Sequence, residues 1–100
     1  MIEFAPKETE INCDWYTAVM YCFTLGPGWR LPTIDELTKI KESKCKWAND
    51  DSNTNWYWSS TETSDYSSVD SVKTFNPKYG MKGICEKTVT IDTVRAVRDL

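Results

Sequence analysis

Apolar residues recur at Trp15, Ala18, Val19, Cys22 and Phe23, the i, i+3, i+4, i+7, i+8 spacing that lines one face of a helix. Asn12 or Asp14 is placed to cap it, and Gly26-Pro27-Gly28 ends it, so a helix is predicted over residues 15–25. A second helix is marked by its start. Pro32 is excluded from a helix interior, and Thr33 with Glu36 three residues on forms a capping box, so the helix begins at Ile34 and runs to about Ser43. Ile34, Leu37 and Ile40 face inward, while Asp35 and Glu36 precede Lys39, Lys41 and Lys44, the charge order that suits a helix dipole. These lysines read as dipole compensation on a solvated face rather than as a binding site.

The remaining pattern has the period of strands. Ile2 and Phe4 flank Glu3 in a short terminal or edge strand, and residues 56–61, Trp-Tyr-Trp-Ser-Ser-Thr, suit a pleated surface. Residues 47–55 are an Asn/Asp-rich loop, and residues 63–71 are either a long Ser-rich loop or a ragged lead-in to a candidate strand over 72–75. Residues 76–80 form a turn. Two β-branched runs, 88–91 and 94–97, separated by Asp92-Thr93, predict a closing hairpin. Strand, helix, helix and then strands is a segregated order, which argues for one α+β domain over residues 1–100 with a mainly antiparallel sheet.

Composition narrows the functional classes. A 100-residue chain buries roughly 60–65% of its unfolded surface, and five Trp, five Tyr and three Phe supply much apolar area to so small a core. The net charge of −3 and the lack of a basic stripe outside residues 39–46 argue against nucleic acid. No stretch approaches the length of a membrane span, and the segment from Met1 lacks the basic and apolar regions of an export signal. The expectation is a cytoplasmic protein, unless a signal was removed from a longer precursor. Cys13, Cys22, Cys45 and Cys85 are even in number and allow three disulfide pairings in an oxidising compartment, but the missing export signal favours reduced thiols.

Four ordered motifs carry a resemblance to a known family. Trp15-x-x-Ala18-x-x-Tyr21-Cys22-x-x-Leu25, Gly28-Trp29-Arg30-Leu31-Pro32-Thr33-x-x-Glu36-Leu37, Tyr57-Trp58-Ser59-Ser60-Thr61 and Val94-Arg95-Ala96-Val97-Arg98 together resemble the Lcl C-terminal domain-like family. Domains of that family are similar in fold to C-type lectins, to the formylglycine-generating enzyme superfamily and to phage variable receptor-binding domains. The resemblance implies a C-type-lectin-like domain, two helices flanking a small twisted sheet, adjacent chain ends and a loop-rich recognition face. It also implies a setting in bacterial or phage proteins. The family's last motif usually carries Cys where Ala96 stands, so a disulfide through that position is impossible, which leans toward an intracellular version.

The motif residues read mainly as structure. Trp15, Trp29 and Trp58 are expected in one aromatic core, and Arg30, Arg95 and Arg98 need carboxylate or carbonyl partners if buried. Asp51, Asn53, Asn55 and Glu62 have the spacing of a calcium loop, but Trp56 stands where its sharp turn requires Gly, and Trp47-Ala48-Asn49-Asp50 is a poor match to the lectin calcium motif. Without a Glu-Pro-Asn triplet or any His, no metal or other cofactor is expected. Catalysis lacks parts too: Cys45 has no His as base and sits near a helix C-terminus, so the expectation is not an enzyme.

What remains is a binding module. Tyr57, Tyr66, Phe75, Tyr79 and Met81 lie in or beside the polar connections at residues 49–55, 63–68 and 76–81, where Tyr and Met favour interfaces, with Tyr66 and Tyr79 the strongest candidates. Two classes of partner fit. One is a protein inside a bacterial host cell, occupied and inhibited by a small phage or mobile-element factor. The other is a glycan or surface receptor met outside by an adhesin or phage-tail domain. The oligomeric state is open.

Overall fold

The computed structural model describes residues 1–39, 56–63, 70–77, 80–88 and 91–100. Strand β1 (Ile2–Phe4) leads through a 3-10 turn at Lys7–Thr9 to β2 (Ile11–Cys13) and helix α1 (Trp15–Thr24). Helix α2 (Ile34–Thr38) follows, then β3 (Tyr57–Thr63), β4 (Ser71–Asn76), β5 (Met81–Glu86), β6 (Asp92–Val94) and β7 (Val97–Asp99). The result is an α+β domain with two helices and a curled mixed sheet among the described residues. The larger sheet runs β2-β6-β3-β4-β5, antiparallel except for one parallel pairing, Tyr57 with Thr93, while β1 and β7 pair separately.

Both helices start where the sequence says they should. Asp14 caps α1 by accepting from the Thr17 amide, and Gly26 and Gly28, both at positive φ, turn the chain away from its end. Thr33 and Glu36 form the reciprocal capping box of α2, whose first amide also donates to the Thr61 hydroxyl at 2.9 Å. The Ser60 amide donates to the Pro32 carbonyl at 2.8 Å, so the rigid Leu31-Pro32 segment is seated on β3. Residues 40–43 of the predicted second helix lie outside the described residues.

Alternation along the sheet divides the core in two. Trp58 and Val72 point into a cluster with Ala18, Cys22, Leu31 and Val94, and Trp15 and Trp29 lie half-buried against it, so the three tryptophans share one core as expected. Tyr57 and Phe75, directly opposite each other on β3 and β4, point the other way and meet Ile34 and Leu37 of α2. A bulge between Trp58 and Glu62 breaks the β3–β4 register there. At Gly83 on β5 a Cβ would stand 3.0 Å from the Trp56 ring and 3.2 Å from the Thr74 hydroxyl, so that position is held small by close packing.

Among the described residues the predicted closing hairpin is not formed, residues 89 and 90 of its first run lying outside them. Asp92–Val94 is paired on both sides, by β2 and by β3, and Val97–Asp99 pairs with β1, so residues 94–97 cross from one sheet to the other instead of returning on residues 88–91. The crossing is built around Arg95, fully buried, whose Nε donates to the Ala5 carbonyl and whose Nη1 meets Glu10 Oε2 at 2.9 Å. Glu10 also accepts from the Tyr57 hydroxyl at 2.8 and 2.9 Å. The termini are adjacent, with the Leu100 amide donating to the Met1 carbonyl and Arg30 bridging to Val97.

Two outcomes follow from these pairs. Removing one partner of a buried ion pair leaves the other charge uncompensated, so Arg95→Ala or Glu10→Ala is expected to cost about 3–5 kcal/mol, read as a fall in urea midpoint. A chain with an ordinary stability of about 5–15 kcal/mol is then close to unfolding. Glu36 is held down to about 2 from 4.5, first by the Arg30 guanidinium against pull from burial. A depressed folded value means its contribution is complete above pH 4.5 and is lost as pH falls toward 2. Glu36→Gln is expected to lower the melting temperature at pH 7 by the equivalent of about 1 kcal/mol, discounted for the partly exposed Arg30, and to flatten the wild-type loss between pH 5 and 2.

Candidate functional site

The outer half of α1 is apolar. At roughly 100° per residue, Ala18 and Cys22 define the line that enters the core, and Phe23 lies about 120° around from it. Phe23 is accordingly 62% exposed, which corrects its expected place on the buried stripe. Tyr16 and Met20 continue the same arc at 45% and 65% exposure. Sequence reasoning passed over both because it followed the buried face alone. The signal was present: Trp15–Thr24 contains no charged residue, and a helix apolar around most of its circumference needs cover on more than one side.

Beside this face lies a groove of about 270 Å³. Trp15, Val19, Phe23 and Leu31 form its apolar walls, and Arg30, Ser60 and Glu62 its polar rim. Trp15 is fixed, because its Nε1 donates to the Ser59 carbonyl at 2.9 Å and Tyr16 meets it edge-on at 5.2 Å. The Tyr16 hydroxyl reaches Asp70 at 3.3 Å. Lys87, nearly buried, places its ammonium 4.4 Å from the Trp15 ring centre, 5.8 Å from that of Tyr16 and 3.5 Å from Glu62. Across the groove Arg30 makes two bonds to Glu36, at 2.8 and 2.9 Å, and one to Asp99 at 3.0 Å. These carboxylates hold Arg30 firmly protonated. Arg98 stacks on Trp29 and pairs with Glu3, though it is 44% exposed; buried Arg95 has both a carboxylate and a carbonyl partner, as a buried arginine needs.

The residues predicted to meet a partner are dispersed. Tyr57 and Phe75 are 0% and 3% exposed and offer no surface: Tyr57 gives its hydroxyl to Glu10, and Phe75 fills the space over α2. Strand pairing draws both out of the polar connections that flank them in sequence. Met81 is 54% exposed at the start of β5. Tyr66 and Tyr79 lie outside the described residues, as do Lys41, Lys44, Cys45, most of the polar connections, and Asp51, Asn53 and Asn55. Glu62, the last of the calcium-loop candidates, sits on an extended strand and pairs with Lys87.

The thiols among the described residues lie on β2, α1 and β5, with only that of Cys22 fully buried. Cys13, Cys22 and Cys85 are free thiols. Burial pushes Cys22 up to about 12, with a further contribution from Cys13, and pushes Cys85 up to about 11, helped by Asp92. Burial and neighbouring Asp14 raise Cys13 as well. All three stay protonated at neutral pH and are poor nucleophiles. Among the described residues no three His, Cys, Asp or Glu side chains cluster as metal ligands, and no helix is long and apolar enough to cross a membrane.

The sequence matches no protein-family model and no curated protein. The functional reading therefore rests on the residues themselves.

Asp92 yields a test of the sheet interior. Its carboxyl is raised by burial, opposed by a hydrogen bond with Cys85, and its Oδ2 is buried with no hydrogen-bond partner among the described residues. Below pH 3.8 both folded and unfolded states are protonated; as pH rises the unfolded state ionises first, so Asp92 costs stability at neutral pH. Asp92→Asn is expected to gain about 1–2 kcal/mol at pH 7 and nothing at pH 3 in paired thermal melts.

Proposed function

We propose that this chain is a non-enzymatic binding module that holds a protein partner on the outer face of α1. The observation that carries the reading is the exposed apolar arc of Tyr16, Met20 and Phe23 beside a groove walled by Trp15, Val19 and Leu31. A contiguous apolar patch on a small domain marks an interaction surface, and aromatic and Met side chains are those that dominate interfaces.

The reading keeps the C-type-lectin-like resemblance as a proposal. It is supported by the pairing of β1 with β7, and by the bridge from Arg30 to Val97 that brings two of the four motifs together. The expected setting, a phage or mobile-element factor that occupies a host protein, belongs to the same proposal.

A photo-crosslinker at Met20 in the full chain, irradiated in lysate of the source cell, tests the reading. We expect a crosslinked protein that unmodified chain competes away. Phe23→Ser should weaken this capture by about 1–2 kcal/mol with little change in melting temperature, since the ring is mostly in solvent. Crosslinks indifferent to both competitor and Phe23→Ser would remove the α1 face. A saturable, sugar-specific signal on a glycan array, lost on calcium chelation, would replace the protein partner with a glycan.

A further inference from the structure

The two cations beside the α1 groove are both engaged by the protein itself. Arg30 spreads its guanidinium over Glu36 and Asp99, and Lys87, with a side chain only 8% exposed, is held between the Trp15 ring and Glu62. Of the acids in those pairs Glu62 is 64% exposed and Asp99 76% exposed, while Glu36, at 18%, lies deeper than Arg30, at 34%. Asp70, beside Tyr16, is exposed as well. An approaching surface therefore meets apolar rings with the Glu62, Asp70 and Asp99 carboxylates exposed around them, Lys87 set behind, and Arg30 one-third exposed but bonded to two acids.

From this we propose that the groove takes a basic amphipathic helix of a partner protein. One apolar side chain would seat between Trp15, Val19, Phe23 and Leu31, and a neighbouring lysine or arginine would lie on Glu62. The inference rests on the protein-binding reading of the same face and adds the chemistry of the partner. Its size is set by the groove, whose volume of about 270 Å³ suits a single large side chain as anchor. Its shape is set by α1. Tyr16, Met20 and Phe23 stand at i, i+4 and i+7, the ridge that a second helix meets along its own apolar stripe. Its charge is set by the exposed acids on and around the rim, since an acidic helix would bring like charges against Glu62 in the groove and against Asp70 and Asp99 beside it. The same argument disfavours a second copy of this chain, which carries a net charge of −3 and would oppose the same carboxylates to one another.

Three labelled synthetic peptides of about four helical turns separate the contributions in fluorescence anisotropy: one patterned with Leu and Lys, one with Leu and Glu, and one with Ser and Lys. The Leu/Lys peptide is expected to bind saturably and roughly tenfold or more tighter than either of the others. Phe23→Ser should weaken it about tenfold and Glu62→Gln about threefold, while Ile91→Ser, at an exposed apolar site off the helix, leaves it unchanged. Equal binding of the Leu/Glu peptide, equal binding of the Ser/Lys peptide, or indifference to Phe23→Ser would each overturn the proposal. So would sedimentation showing a dimer that Phe23→Ser dissociates, because the face would then belong to a second copy. A Met20 crosslink that persists while the order of the peptides is reversed would overturn the basic helix and leave protein binding standing. Loss of the crosslink with the order of the peptides intact would remove the protein partner, and the inference with it, and leave only a groove that prefers basic amphipathic helices.

Discussion

The buried Arg95–Glu10 pair is the constraint on which the architecture turns. The N-terminal strand pair β1 and β2 and the C-terminal pair β7 and β6 run alongside each other, but their connections differ in length. Residues 5–10 separate the first two strands, and only Arg95-Ala96 separates the last two. The longer connection folds into the 3-10 turn and brings Glu10 back under the sheet, where Arg95 reaches it and the Ala5 carbonyl together. Tyr57 adds its hydroxyl from β3. One guanidinium thus ties both chain ends to the central strand, at a desolvation cost that only a fully hydrogen-bonded arrangement repays.

That constraint explains which parts of the fold were legible in the sequence. Helix starts are local matters of caps and Pro, and the structure agrees at Asp14 and Thr33, whereas the meeting of the chain ends at Ile2–Phe4 was implied by the motif resemblance and not by any local pattern. The Val94–Val97 run failed because β propensity says that a residue suits a strand, not which strand it joins. A buried Arg in the middle of a β-branched run was the hint that the run is broken there. Strands β2 and β5 were missed for a related reason. Ile11–Cys13 is short enough to be lost beside the helix that follows it, and Met81–Glu86 contains Gly83 and two charged residues, a composition that reads as loop until Trp56 is seen covering the glycine.

The site was less legible than the fold. Aromatic residues near polar connections were read as contacts, yet Tyr57 and Phe75 are drawn inward because adjacent positions on β3 and β4 must serve both faces of a sheet covered on both sides. On α1 the error ran the other way. Phe23 fits the helical spacing of the core, but two small residues, Ala18 and Cys22, already fill the line of closest approach, and a large ring at the edge of the stripe is left outside.

Small residues facing the sheet and large ones facing water have a further consequence for how stability and recognition divide on α1. Ala18 and Cys22 let the helix approach the sheet closely, so its attachment relies on tight packing and on the Trp15 indole bond to Ser59 rather than on the Phe23 ring. Met20 and the Phe23 ring are then left with little structural role, while Tyr16 keeps its edge-on contact with Trp15 and its bond to Asp70. Lys87 works at the boundary between these two halves. By stacking on Trp15 and pairing with Glu62 it holds the aromatic wall in place, and it removes a positive charge from the surface that a partner would meet. Substituting Lys87 would therefore affect both halves at once, whereas changes at Met20 or Phe23 fall on recognition alone.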